Sequence, residues 1–184
     1  MANSLTDEQL LELLRDEKTK REAFSQIVVK YQKQLYWQIR KMLISHEDTD
    51  DVLQNTLIKA WTGIDNFRGD AKLSTWLYRI AVNETLTFLN NQRIKNMTSM
   101  LDTEDILLSK LEADTYFDGN EAEKKLQKAI VMLPDKQRLV FNMKYFEEKT
   151  YEDMEEILGT SVGALKASYH HAVKKIEQFL SEED

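Results

Sequence analysis

Helix breakers are nearly missing from this chain: one proline, Pro134, and five glycines interrupt 184 residues, where average usage would supply roughly 13 glycines and 9 prolines. Between the breaks, apolar residues return at intervals of three and four, and Leu, Lys, Glu and Ala are abundant, so the chain is expected to be all-α. The periodicity fades once, over residues 97–120. That break predicts two small helical domains, 1–96 and 121–184, joined by an acidic linker. With 42% apolar residues each half can bury a core, and 31% charged residues keep the exterior solvated. The absence of cysteine excludes disulfides, thiolate metal sites and cysteine nucleophiles. No apolar run approaches a membrane span, and the start, MANSLTDEQLLELL, lacks a basic segment followed by an apolar one, so the expected location is the cytoplasm.

Thr6 and Gln9 have capping-box spacing and are followed by Leu10, Leu11 and Leu14, which predicts a short amphipathic helix with no evident chemistry. From Arg21, the residues Phe24, Ile27, Val28, Tyr31, Leu35, Ile39, Met42 and Leu43 describe a core helix that breaks at Ser45-His46-Glu47, with His46 expected as a solvated loop residue. A second helix, Asp48 to Trp61, opens on acids that suit the positive end of the helix dipole and buries Val52, Leu53, Leu57, Ala60 and Trp61. Asp50, Asp51 and Gln54 share its outer face, which reads equally as a solvated helix start or as a docking surface for a basic partner.

The stretch Phe67–Asn91 carries the strongest signal. On a helical wheel Leu73, Trp76, Leu77, Ile80, Ala81 and Phe88 form one apolar face, and Tyr78, Val82, Leu86 and Leu89 form another. Burial on two sides leaves a narrow polar stripe of Arg79, Asn83 and Asn90, which calls for a ligand. The preceding Asp65-Asn66-Phe67-Arg68-Gly69-Asp70 has turn chemistry and holds an aromatic and an arginine, the pair needed to stack on a base.

The formal charge of −7 at first opposes nucleic-acid binding, which relies on Lys and Arg to displace counterions. Its distribution does not: residues 21–96 carry 11 basic against 8 acidic side chains, whereas 97–120 carry 1 against 6. The only net-basic segment is therefore the one that contains the polar stripe.

In the second half, Leu126, Ala129, Ile130 and Leu133 follow core spacing up to the junction Leu133-Pro134-Asp135, and Leu139, Val140, Met143 and Phe146 form the next buried set. Thr150 to Asp153 can cap a short helix containing Met154, Ile157 and Leu158. Gly159 suits a left-handed cap, and Thr160 or Ser161 can start another helix. This is a helix-turn-helix layout. Its second helix buries Val162, Leu165, Tyr169, Ala172, Ile176, Phe179 and Leu180, and leaves Lys166, His170 and Lys174 on an outer stripe beside the small residues Gly163 and Ala167. Such a stripe fits a DNA major groove or a solvated hairpin face equally well. His170 and His171 point about 100° apart and do not suit one metal ion.

These segments together resemble a bacterial RNA polymerase sigma factor of the extracytoplasmic-function type, which keeps only the second and fourth sigma regions. AFSQIVVKYQKQLYWQIRKML is similar to the first helix of region two, DTDDVLQNTLIKAW to the polymerase-docking helix, and FRGDAKLSTWLYRIAVNETLTFL to the segment that opens promoter DNA. LPDKQRLVFNMKYFEEKTYEDMEEILGTSVGALKASYHHAVKKI resembles region four. The resemblance implies a fold of two helical domains, region two over 1–96 and region four over 121–184. It also implies that core RNA polymerase, through its clamp and flap surfaces, and promoter DNA, as duplex and as single non-template strand, are the partners.

On that resemblance, Phe67 and Arg68 would help to pocket a flipped base of the minus-ten element, and Asn83 would read a base near the strand fork. Lys59, Arg79, Arg93 and Lys95 would contact phosphates. Trp76 stands where a tryptophan wedges the duplex in housekeeping sigma factors, but Leu77 replaces the usual second aromatic, which gives Trp76 a larger part in the core. Ser161, Gly163, Lys166, Ala167, His170, His171 and Lys174 would face the minus-thirty-five element. Arginines are common on that helix in the family, so bidentate reading of guanine is not expected here. Asp48, Asp50, Asp51 and Gln54 would dock on polymerase, with Asn55 where an acid is usual. The acidic linker would thread a polymerase channel built for nucleic acid. No catalytic residue, metal or cofactor is implied, membrane insertion is not expected, and an anti-sigma factor is admitted as a further partner. The alternative is a stand-alone helix-turn-helix regulator bound to duplex operator, which gives no reason for the stripe and aromatic loop at 67–90. No carboxylate pair, metal-ligand set or nucleophile–base pattern suggests an enzyme.

Overall fold

The computed structural model describes residues 5–96, 100–115 and 119–182, with the side chains of all of these but 96 and 100–103. The described residues form nine α-helices and one 3-10 turn, with no strand among them. The parts of the linker at 97–99 and 116–118 lie outside the described residues.

Helix α1 (Asp7–Leu13) starts at Thr6 with the expected capping box to Gln9. It lies on α2 (Lys20–Leu43), where Tyr31 donates to Asp7 at 2.6 Å and Lys30 pairs with the same carboxylate at 2.7 Å. Helices α2, α3 (His46–Gly63) and α4 (Leu73–Asn96) pack mutually as a three-helix bundle. Its centre holds Ile27, Leu35, Ile39, Val52, Ala60, Leu73, Leu77 and Ala81, each at most 2% exposed. Helix α3 begins two residues earlier than its acids suggested, because Ser45 caps it by accepting from the Asp48 amide. His46 is accordingly helical rather than in a loop; it is exposed and bonds the Tyr36 hydroxyl at 2.6 Å. The turn before it places Ile44 at φ 64°, a positive φ that is strained for a β-branched residue and is held by burial of its side chain against Leu107, Leu111 and Val131.

In the second half, α6 (Glu121–Val131) starts on a capping box from Asn120 to Glu123. Pro134 precedes α7 (Asp135–Tyr145), and Thr150 caps α8 (Tyr151–Leu158) reciprocally with Asp153. The side-chain bond from Thr150 holds the Asp153 carboxyl below its usual range. Gly159 takes the left-handed cap at φ 65° before α9 (Val162–Glu182), as its position predicted. Helix α9 packs across α6, α7 and α8 and buries Leu165, Ala172 and Ile176. Phe141 rather than Phe146 enters this core: it is 4% exposed and stacks on Tyr169 at 5.8 Å between ring centroids, whereas Phe146 is 37% exposed. Arg138 was not anticipated as a core residue. It is 1% exposed and donates to the carbonyls of Val131 (2.9 Å) and Leu133 (3.5 Å), supplying donors to acceptors that the end of α6 leaves unmet.

Two features go beyond what the sequence predicts. The linker contains a 14-residue helix, α5 (Met100–Ala113), whose Leu107 and Leu111 bury against Ile44 from the first half and Val131 from the second. The halves also pack on each other: α8 lies on α4 and α7 on α2, so Leu139, Val140, Met143, Met154, Ile157 and Leu165 belong to one apolar cluster with the three-helix bundle. Periodicity within a helix identifies a buried face without naming the element that covers it, which is why this contact was invisible in the sequence.

Candidate nucleic-acid interface

The 3-10 turn Ile64–Asn66 delivers the chain into an open loop, with Gly69 at φ 79°, where an L side chain would be strained. Lys20 holds the start of this loop by pairing with Asp65 at 2.7 Å, and the bond pushes the Lys20 ammonium above its usual range. Phe67 is half-buried, tilted against Trp76 with ring centroids 5.2 Å apart, while Arg68 is exposed. Trp76 is itself half-buried against the backbone of Gly63, which fits its expected share in the core. Beside the loop is a cleft of about 310 Å³ lined by Leu11, Leu14, Arg15, Phe67 and Arg68 among others. This volume is at the small end of ligand sites. The α1 end of that wall, Arg15 included, was missed in the sequence because only folding brings it to the loop 50 residues later.

Along α4 the polar stripe separates as the wheel predicted: Tyr78, Val82 and Leu89 are buried, and Asn83 and Asn90 are exposed. Arg79 is not free. Its Nε donates to the Glu156 carbonyl at 2.8 Å, its Nη2 donates to the same oxygen, and this carbonyl lies in the last turns of α8. Lys59 is exposed and pairs with Glu84 at 2.5 Å. Arg93 pairs with Asp135 at the start of α7, and Lys95 is exposed. The minus-ten candidates thus lie on α3, α4 and the loop between them, but two of the cations, Arg79 and Arg93, are held by the second half of the chain.

The candidate docking acids divide similarly. Asp50, Asp51 and Gln54 are exposed on α3, and Asp50 approaches His46 at 3.3 Å. Asp48 is half-buried and pairs with Lys110 of α5 at 2.6 Å.

On α9, Lys166, Ala167, His170, His171 and Lys174 are all exposed. Lys166 sits over the Tyr151 ring at 5.6 Å from its centroid, which ties the start of the stripe to α8. Ser161 accepts from the Ala164 amide at 3.3 Å and so starts the helix. Gly163 is exposed, and a methyl group built there would meet nothing within 4 Å, so neither packing nor backbone conformation requires glycine at that position. Among the described residues no group of three or more His, Asp or Glu is placed to hold a metal ion, and no helix is long and apolar enough to cross a membrane.

Comparison with known proteins places these features in a family. Residues 27–94 match sigma-70 region 2, and residues 123–176 match sigma-70 region 4. The chain is 31% identical to the ECF RNA polymerase sigma-E factor of Haemophilus influenzae, with 96% of each chain covered. It is 30% identical to the ECF RNA polymerase sigma factor SigW of Bacillus subtilis, covering 86% of this chain and 89% of that one. Among solved structures it resembles the sigma factor RpoE in complex with the anti-sigma factor NepR from Bartonella quintana (TM-score 0.64, 21% identity, 86% and 96% covered). It also resembles CnrH in complex with the cytosolic domain of CnrY (TM-score 0.68, 21% identity, 97% and 99% covered). With both regions matched in order on one all-helical chain, the protein belongs to the sigma-70 family, in its extracytoplasmic-function group.

Proposed function

We propose that the protein is a dissociable specificity subunit of bacterial RNA polymerase that recognises promoters and starts transcription, without catalytic chemistry of its own and in the cytoplasm where polymerase works. One observation supports this above all: a single chain carries two unlike exposed surfaces, each of a kind suited to nucleic acid. The exposed α9 stripe of Lys166, Ala167, His170, His171 and Lys174, started by Ser161 and Gly163, has the shape of a major-groove reader for duplex DNA. The loop and stripe around Phe67, Arg68 and Asn83 combine an aromatic, a cation and an amide beside a cleft, as needed to capture an unstacked base. A regulator that bound only duplex operator would need the first surface and not the second.

Residues 1–96 would melt and read the minus-ten element, with Lys59, Arg79, Arg93 and Lys95 on phosphates. Residues 121–184 would read the minus-thirty-five element, and 97–120 would set the distance between the two. Asp48, Asp50, Asp51 and Gln54 would meet a basic surface of the polymerase clamp, where charge complementarity speeds and orients docking. Both solved relatives named above are complexes with anti-sigma factors or a cytosolic partner domain, which supports an anti-sigma factor as a further partner of this chain.

Docking is tested by mixing the purified chain with sigma-free core polymerase and following co-elution. The wild type is expected to co-elute, and the double substitution Asp51→Lys, Gln54→Lys is expected to weaken the association at least tenfold. Absence of any complex with core would overturn the proposal.

A further inference from the structure

We infer that helix α1 and the turn after it complete the cleft beside Phe67 as a nucleotide site, in which Arg15 holds the phosphate next to a captured base. The inference rests on the proposed role of Phe67 and Arg68 and extends that site to a part of the chain that carries no motif. The cleft, of about 310 Å³, takes its lining from two segments: Leu11, Leu14 and Arg15 from the end of α1, and Ile64, Phe67 and Arg68 from the loop before α4. Ile64 is buried, and Leu11, Leu14 and Phe67 are half-buried, so they offer an apolar surface on which the face of a base can lie. Arg15 and Arg68 are exposed, one on each segment.

The charges at the cleft select the ligand class. Among the described residues the guanidinium groups of Arg15 and Arg68 make no ion pair and no hydrogen bond, whereas those of Arg79, Arg93 and Arg138 engage carbonyls or carboxylates of the chain. Two acids also line the cleft, Glu17 and Asp65, and both pair with Lys20, at 3.7 Å and 2.7 Å. Lys20 thus offsets much of their repulsion toward an anion, and the two arginines remain to attract one. An apolar ligand would give the arginines nothing to do, and a bare anion would leave the apolar lining unused. A nucleotide within a strand needs both, because its base is flat and apolar on its faces and its phosphates are charged.

The α1 side of the cleft is set in place before any ligand arrives. Leu10 is buried in the first core, and Asp7 accepts from the Tyr31 hydroxyl of α2 at 2.6 Å, which together fix α1 on α2. In the turn that follows, the Thr19 hydroxyl donates to the Leu13 carbonyl at 2.7 Å, the Lys18 amide to the Asp16 carboxylate at 3.0 Å and the Lys20 amide to the Asp16 carbonyl at 2.9 Å. Arg15 is therefore presented from a fixed backbone. A wall that is already ordered loses less freedom on binding than a loop that must be ordered by its ligand. With one free cation on each segment, the phosphates before and after a captured base each gain a partner, so the strand is gripped on both sides of the pocket.

The test follows binding of the full chain to a short fluorescent single-stranded DNA of randomised sequence, by anisotropy over a range of salt concentrations. Arg15→Ala is expected to weaken binding on the order of tenfold at low salt and to lower the slope of log affinity against log salt by about 0.7, the value of one phosphate contact on a single strand. Arg15→Lys keeps the charge and should keep the slope. Leu14→Trp, which fills the cleft from the α1 side, should weaken binding to this strand more than to an abasic strand of the same length. Helical circular dichroism checks that each variant is folded, and Arg15, being exposed, can be replaced without disturbing the core. A folded Arg15→Ala protein with unchanged affinity and slope would overturn the inference. So would displacement of the strand by an equal concentration of a free deoxynucleoside monophosphate, which would make the cleft a site for a small nucleotide. Phe67→Ala separates the two levels of the argument: if it weakens binding and Arg15→Ala does not, the extension to α1 fails and the reading of the loop stands, whereas no effect of either removes both.

Discussion

Gly163 shows how much a single residue can say. Glycine loses more backbone freedom on folding than alanine, and in the first turn of α9 neither a positive φ nor a close neighbour offsets that cost at Gly163. A ligand that must come close to the backbone would. Gly163→Ala is expected to raise the stability of the free protein by about 0.5–1 kcal/mol in chemical denaturation, and to weaken binding to minus-thirty-five duplex measured by anisotropy. At the neighbouring contact, Lys166→Ala should weaken duplex binding similarly for every sequence and lower the salt dependence by about one unit of slope. Asn83→Ala instead should change which base is preferred in the minus-ten element, read by transcription from a set of single-base promoter variants. An equal loss on all of them would remove Asn83 as a base reader. The exposure of these residues was legible in the sequence, since period and face decide it. Burial of Arg138 was not, because an arginine enters a core only when carbonyls such as those of Val131 and Leu133 wait for it there.

At the scale of elements, the helix-turn-helix could be read almost to the residue. Its signals are local: a capping box at Thr150 and Asp153, a left-handed glycine at 159, and a hydroxyl start at Ser161. Helix α5 could not be read in this way. The burial of Leu107 and Leu111 is meaningful only beside Ile44 and Val131, which lie on opposite sides of α5 in the sequence, and its acids mask the helix by breaking up the apolar period. Leu107→Ala is expected to cost roughly 2–5 kcal/mol of the energy that docks α5, seen as faster amide exchange across residues 104–113 while the α2–α4 bundle stays protected. The capping helix α1 was assigned no chemistry from its sequence, yet it supplies one wall of the cleft beside Phe67.

At the scale of the whole molecule, the sequence predicted two domains, and the structure packs them on each other through a shared apolar cluster with a polar seam at Tyr78 and Glu147. Net charge hid the function and its distribution revealed it, because the basic excess of residues 21–96 is cancelled by acids elsewhere. The seam also has a pH signature. Burial raises the Glu147 carboxyl above its ordinary range, against the opposing effects of the Tyr78 hydroxyl, Lys41 and Lys149. The folded chain therefore holds a proton on Glu147 more tightly than the unfolded chain does. This contribution to stability is fully present below the ordinary glutamate pKa and is lost as pH rises through the raised one. Stability measured by chemical denaturation should accordingly carry a component that falls with rising pH across that window, and Glu147→Gln should flatten it.

The account as a whole depends on the chain conferring promoter choice on polymerase. The direct measurement is to add it to sigma-free bacterial core polymerase with fragments of genomic DNA and map the 5′ ends of the transcripts. New starts are expected, sharing one upstream sequence pair at fixed spacing, that disappear when Asn83→Ala and Lys166→Ala are combined. The same starts with and without the chain, or none at all although a complex with core forms, would contradict it.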